Sequence, residues 1–144
     1  MTRPVILALD DDRERFSYLE TLLDGRAEIV YAACPSCVAD ALPRADAVLL
    51  DYDLDSGEPC PGCLASYAMW RGPMHRQQSK GLHYVPAIAA RKVPTIVVSA
   101  SSRENVASLC AALAEAEVLF TRIAATDSDP ELKWAGRLWA RGVL

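Results

Sequence analysis

The sequence predicts an α/β protein built on a five-stranded parallel sheet, doubly wound, with helices on both faces. Three observations carry that prediction. Short, almost purely apolar runs recur along the chain, a stretch with helical periodicity follows each, and the 144-residue length suits one domain with one core, residues 1–144. A strand that reads as a continuous apolar run, without polar alternation, is covered on both faces, as in a parallel sheet. Regular alternation of such runs with helices gives the doubly wound arrangement.

Val5–Leu9 (VILAL) is the first strand and ends at Asp10. Asp12 caps a helix over 12–23, in which Phe16, Leu19, Leu22 and Leu23 make one apolar stripe, and Asp24-Gly25 ends it. Residues 27–33 (AEIVYAA) form the second strand, 38–42 a short helix closed by Pro43, and Ala47–Leu50 (AVLL) the third strand, which runs into Asp51-Tyr52-Asp53. Residues 94–99 (PTIVVS) are the fourth strand and 118–121 the fifth. Between them, 104–116 is rich in alanine and leucine and reads as a helix. A last helix spans 130–141, with Pro130 in its first turn and Leu132, Ala135, Leu138 and Trp139 on its inward face.

One segment breaks the rhythm. Residues 56–80 separate the third strand from a helix at 82–90, and hold glycine, proline, two cysteines, Met69, Trp70, Met74 and His75. A connection of this length is functional or disordered, and its aromatic and sulfur content favours an ordered insertion.

Composition limits the function classes. The chain is 51% hydrophobic and 24% charged, the balance of an ordinary globular protein. A net charge of −4 argues against an extended nucleic-acid footprint. The start MTRPVILALDDD has too short an apolar run for a signal peptide, and no run approaches the roughly 18 residues of a membrane span. A cytoplasmic location with reduced cysteines is therefore expected. Five cysteines then point to metal binding or burial ahead of a disulfide framework.

The acidic residues fall at strand ends. Asp10, Asp11 and Asp12 follow the first strand; Asp51 and Asp53 follow the third. In a doubly wound sheet these strands are neighbours, and ligands sit at the strand C-termini. Converging carboxylates repel one another and call for a cation, and hard oxygen ligands suit magnesium. Aspartates in such places also cap helices; two clusters on adjacent strand ends favour the metal site.

At these residues the chain resembles the response-regulator receiver domains. ILALDDDRE looks like their first strand and acidic pair, AVLLDYDLDSG like their phosphoacceptor strand, VPTIVVSAS like their fourth strand with its hydroxyl residue, and EVLFTR like their fifth. The resemblance covers the chain apart from the insertion and implies the flavodoxin-like strand order 2-1-3-4-5. It further implies that Asp10 and Asp11 hold magnesium, that Asp51 accepts a phosphoryl group, that Asp53 offers its carbonyl to the metal, and that Ser99 bonds a phosphoryl oxygen. Arg122 stands where the family carries lysine, a planar fork in place of a point charge. DYDLDSG is also similar to a signature of a divergent branch proposed to process cyclic phosphates. Tyr52 stands where that branch has histidine, and its second signature is reduced to Val98-Ser99, with Asn105 displaced.

Cys34-Pro-Ser-Cys37 and Cys60-Pro-Gly-Cys63 form two CxxC pairs. Four thiolates complete a tetrahedral zinc shell, and the loops that hold the pairs flank the first strand at the same sheet edge. Zinc there would fix the insertion above the acidic pocket. Alternatives are zinc on Cys60, Cys63, His75 and His83, separate redox dithiols, or buried thiols. Cys110, mid-helix among Leu109, Ala111 and Leu113, reads as core. Arg71, His75, Arg76 and Lys80 make the insertion basic, either as a solvated loop or as a grip on a phosphate-bearing small molecule. Trp134 and Trp139 either cover the sheet or form a homodimer seam.

Two functions follow as expectations. One is a stand-alone receiver-like signalling module that takes a phosphoryl group from a kinase and binds a protein partner, or a pseudo-receiver that works by contact alone. The other is a metal-dependent phosphoesterase or nucleotide-binding protein of the cyclic-phosphate type.

Overall fold

The computed structural model describes residues 3–10, 21, 23, 25–54, 60, 79–99, 101–124 and 142. Their central feature is a five-stranded parallel sheet formed by β1 (Val5–Leu9), β2 (Glu28–Tyr31), β3 (Ala47–Leu50), β6 (Thr95–Ser99) and β7 (Phe120–Ala124), in the order β2-β1-β3-β6-β7. Counted within this sheet alone, that is the 2-1-3-4-5 order. The intervening β4 (Asp53–Leu54) and β5 (Ser79–Lys80) pair with each other as a separate antiparallel ribbon.

Burial explains why these runs became strands. Ile6 to Leu9 and all of Ala47–Leu50 are buried, and successive residues feed opposite faces. Leu7, Leu9, Val48, Leu50 and Val97 face one core, shared with Val38, Val85, Ile88, Val106, Leu109 and Leu113 from three helices. Ile6, Ala8, Ala47, Leu49, Ile96 and Val98 face the other, where they meet Leu23. Thr21 and Leu23 are helical; the rest of the 12–23 helix, the 130–141 helix and most of the 56–80 insertion lie outside the described residues. Among the described residues no helix is long and apolar enough to cross a membrane.

The register of β1 against β3 is set at the lower end of the sheet. Asp46 Oδ2 accepts from the Val5 N–H at 2.7 Å, and the Asp46 N–H donates to the Val5 carbonyl at 2.7 Å. Ile6 then lies opposite Ala47 and Leu9 opposite Leu50.

Several element boundaries differ from expectation. The strand placed at 27–33 is shorter, Glu28–Tyr31, because the chain turns after Ala33 into a helix that starts at Pro35, not at 38. Cys34 caps that helix: its sulfur accepts from the Cys37 N–H at 3.4 Å, and proline fits the first turn, where no N–H is needed. The helix placed at 82–90 is a 3₁₀ turn, Gly81–Tyr84, leading into an α-helix, Val85–Arg91. The helix placed at 104–116 is Arg103–Glu115, capped by the Ser102 hydroxyl, which accepts from the Asn105 N–H at 3.2 Å.

The fifth strand of the sheet shows the largest shift, from 118–121 to Phe120–Ala124. Val118 is used by the preceding helix: its N–H donates to the Leu113 carbonyl at 3.0 Å, and the Glu117 N–H donates to Ala114 at 3.0 Å. Glu117 is left-handed, with φ of 59°, and Val118 is buried beside Leu113. These are the two bonds of a Schellman cap with its apolar contact.

Candidate functional site

Two clusters of chemically capable side chains lie at the C-terminal edge of the sheet. The first is acidic. Asp10 follows β1 and Asp51 follows β3, each one residue beyond the matched pair Leu9 and Leu50. The Asp51 N–H donates to the Leu9 carbonyl at 2.9 Å, so the ladder continues to the acidic residues. Adjacent strands lie about 4.8 Å apart, which sets the two carboxyl-bearing residues side by side. Both are buried, Asp10 at 1% and Asp51 at 5% exposure. The Tyr52 N–H donates to Asp51 Oδ1 at 2.7 Å and fixes the orientation of that carboxylate.

Ser99 ends β6, next to β3, and is 8% exposed. Its hydroxyl accepts from the Ser101 N–H at 3.1 Å and still carries its own O–H donor. Asp10, Asp51 and Ser99 thus occupy the tips of three consecutive strands of the sheet. Asp11 lies outside the described residues.

Neither the Asp53 side chain nor Arg122 occupies a strand tip of this sheet. Asp53 begins the ribbon opposite Lys80, and its Oδ1 pairs with Lys80 Nζ at 2.8 Å. Lys80 also lies 5.8 Å from the centre of the Tyr52 ring. Arg122 sits mid-strand in β7 opposite Val97, while Ser99 lies opposite Ala124. Arginine is therefore two residues, about 6.6 Å, short of the strand tip. It is exposed, and its positive charge partly offsets the rise that burial gives the Cys110 thiol.

Gly81 is the residue that inspection of the sequence missed. Its N–H donates to the Tyr52 carbonyl at 2.6 Å, and a Cβ at this position would overlap the carbonyl of Asp51. Only glycine lets the exit of the insertion lie directly on the backbone that carries Asp51. A glycine between a basic insertion and a helix offered no local signal of this approach.

The second cluster is of cysteines. Cys34, Cys37 and Cys60 place their Sγ atoms within 4.8 Å of one another, although Cys60 is remote in sequence. Tetrahedral zinc–sulfur bonds of about 2.3 Å set sulfurs about 3.8 Å apart, so the three fit such a shell. Cys34 and Cys60 are fully buried against Ala33. The Ala33 N–H donates to Cys60 Sγ at 3.2 Å, and the Cys37 N–H to Cys34 Sγ at 3.4 Å, contacts that suit sulfur carrying negative charge. Burial pushes the Cys34 thiol up to about 11, against the Cys37 hydrogen bonds that lower it, and the neighbouring Cys60 sulfur adds to the rise. No disulfide joins the described cysteines, and Cys63 and His75 lie outside the described residues. Because Cys60 joins Cys34 and Cys37, the first pair is part of one site with the insertion. His83 packs edge-on against Tyr84 with ring centres 5.2 Å apart.

Solved structures supply the comparison. A response regulator from Thermotoga maritima superposes with a TM-score of 0.59 at 14% identity, covering 96% of this chain and 99% of that one. The fold is that of the response-regulator receiver domains. A signal receiver domain of an HD domain-containing protein from Pseudomonas fluorescens matches this receiver fold with a TM-score of 0.63 at 17% identity, over 99% and 98% of the two chains. NtrX from Brucella abortus, in complex with ATP, matches with a TM-score of 0.62 at 20% identity; 97% of this chain is covered, and it spans 28% of NtrX. No family model and no curated protein matches the sequence.

Proposed function

We propose that this protein is a receiver-like signalling module whose acidic pocket binds magnesium and accepts a phosphoryl group at Asp51, with a zinc site that fastens its insertion. The observation that carries this reading is the alignment of Asp10, Asp51 and Ser99 on three adjacent strand tips of a receiver fold.

The donor set fits magnesium: two buried carboxylates on neighbouring strand ends, hard oxygen ligands of like charge. Asp10 and Asp51 would hold it, with Asp11 as the further acid and the Asp53 carbonyl as a neutral ligand. Bound there, magnesium supplies charge neutralisation on the phosphoryl group under attack. Asp51 does the chemistry. One carboxylate oxygen attacks phosphorus, its O–P bond forms as the bond to the donor's leaving group breaks, and the leaving group departs with the electron pair. The Tyr52 N–H on Oδ1 holds the carboxylate in one orientation. The Ser99 hydroxyl donates to a phosphoryl oxygen from the neighbouring strand. The donor is a kinase or a small acyl phosphate, and the modified pocket presents the signal to a protein partner.

Zinc fits the cysteine cluster on the chemistry of its donors, three sulfurs within bonding span of one centre; Cys63, which the sequence pairs with Cys60, would be the fourth. It would bind the start of the insertion to the end of β2.

Incubation with magnesium and acetyl phosphate, followed by native mass measurement, tests both parts. A phosphate adduct is expected in the unaltered protein and complete loss of it in Asp51→Asn, with one zinc per chain in each spectrum. An adduct of equal yield in Asp51→Asn would remove Asp51 as the acceptor. No adduct at all would leave a pseudo-receiver that acts by contact or a phosphoesterase of the cyclic-phosphate type.

A further inference from the structure

The acidic pocket and the cysteine cluster are joined by one short path of backbone and a single side chain. At the cysteine end, Ala33 is held on both sides of its Cα: its N–H donates to Cys60 Sγ at 3.2 Å, and its carbonyl accepts from the Tyr84 hydroxyl at 3.2 Å. Tyr84 is 4% exposed and closes the 3₁₀ turn Gly81–Tyr84. At the other end of that turn, Gly81 donates to the Tyr52 carbonyl at 2.6 Å and lies against the Asp51 carbonyl. A four-residue turn therefore has one end on the acceptor backbone and the other on the peptide that supports a cysteine ligand.

Such a turn is stiff. Its tyrosine is anchored in a packed core, and its glycine has no room to move towards β3. The cysteine end is held differently. Cys60 comes from the insertion, and a metal holds a loop of that kind in place. Displacement of the Cys60 sulfur releases the Ala33 N–H, leaves Ala33 held from one side only, at the carbonyl that the Tyr84 hydroxyl bonds, and so loosens the turn beside Asp51.

We propose that metal occupancy of the cysteine site regulates the acceptor pocket: zinc on Cys34, Cys37 and Cys60 holds the turn Gly81–Tyr84 against Asp51 through Ala33, and loss of the metal loosens it. This rests on the zinc site proposed above and adds its effect on Asp51. The ligand class is a soft divalent cation, zinc or cadmium. The outcome is a receiver pocket that responds to thiol-bound metal as well as to phosphate.

Amide hydrogen exchange tests the link at Gly81, whose N–H reports the turn directly. Zinc-loaded and chelator-stripped forms of the unaltered protein and of Tyr84→Phe are compared, with zinc content measured in each. In the unaltered protein, stripping is expected to speed Gly81 exchange about tenfold or more while amides of β1 and β3 stay protected. Tyr84→Phe keeps the ring and the zinc but lacks the hydroxyl; its Gly81 should exchange fast with or without metal. Gly81 exchange indifferent to zinc in the unaltered protein overturns the proposal. So does a Tyr84→Phe protein whose Gly81 stays as protected as the unaltered one. Should stripping unfold the whole chain, the zinc-loaded pair alone decides, by the same comparison. Protein that takes up no zinc on titration overturns the zinc reading and this link together, and the metal content identifies that case. Magnesium titration of the zinc-loaded protein checks the pocket separately: no magnesium binding with an intact zinc response at Gly81 sinks the pocket reading and leaves the link standing.

Discussion

The acidic tips and the cysteine cluster lie at the same edge of the sheet, yet they are built in opposite ways. Asp10, Asp51 and Ser99 are positioned by strand register, which the core enforces on both faces of β1, β3 and β6. Cys34, Cys37 and Cys60 come from a helix cap and an insertion, which no ladder among the described residues aligns. Their chemistry is opposed as well. The acidic tips offer hard carboxylate oxygens, whereas the Cys34 thiol, pushed by burial up to about 11, is neutral at ordinary pH and would become charged only as a metal displaced its proton. In the proposed reading, one site is preorganised for its ligand and the other would gain its order from the ligand.

That contrast can be broken most forcefully at the cysteines. Cys60→Ser, or chelation of the unaltered protein, should remove the zinc and cost on the order of 4 kcal/mol of stability at zinc concentrations a thousandfold above the dissociation constant. Denaturant melts at fixed zinc measure it, and a variant as stable as the parent would show that no metal was holding the site. Asp10→Asn, by contrast, should keep its zinc while magnesium affinity collapses.

Gly81→Ala comes next. Its methyl group would meet the Asp51 carbonyl, so a loss of about 1–3 kcal/mol is expected. Phosphate uptake should fall with it and zinc content should not, which would separate the two sites in one variant. Full phosphate uptake in Gly81→Ala would mean that the turn does not constrain the acceptor.

A milder distinction lies in pH. In the metal-free protein the Cys34 thiol titrates near 11, above its ordinary 9.0, because burial disfavours the thiolate. The folded state therefore binds this proton more tightly than the unfolded chain. Its contribution to stability is complete below about pH 9 and is lost as pH rises towards 11. The zinc-loaded protein should show the reverse, losing metal and stability in acid as protons compete for sulfur. Melting curves across both ranges, with and without zinc, would show whether the signs differ.

The smallest effect belongs to the ribbon. Lys80 and Asp53 are 45% and 42% exposed, so Lys80→Met should cost no more than about 0.5 kcal/mol and weaken further in salt. A larger loss would mean that the pair also orients the chain after Asp51.

These differences also explain what the sequence could disclose. β1 and β3 were legible to the residue because a strand covered on both faces has no polar position to blur its limits. The acids beyond them were legible for the same reason. β7 was misplaced because Val118 is apolar yet serves a helix cap, and because Leu119, apolar too, is 62% exposed. That shift carries Arg122 into the middle of the strand. The cysteines announced themselves by spacing, but the joining of Cys60 to the first pair depends on tertiary packing. The ribbon of Asp53–Leu54 with Ser79–Lys80 was hidden because two-residue strands leave no periodic pattern. Gly81 was hidden because close backbone approach depends on what lies opposite.

The reciprocal pair between Asp46 and Val5 has a consequence at the far end of the sheet. It works as a ruler laid along β1: five residues at about 3.3 Å each separate this zero mark from Asp10, some 16 Å away. A slip of one residue there would turn every side chain of β1 to the opposite face and carry Asp10 out of line with Asp51. The alignment of Asp10 with Asp51 is thus written in part by an aspartate at the opposite end of the strand, and damage to Asp46 would be read as a fault at the far edge of the sheet.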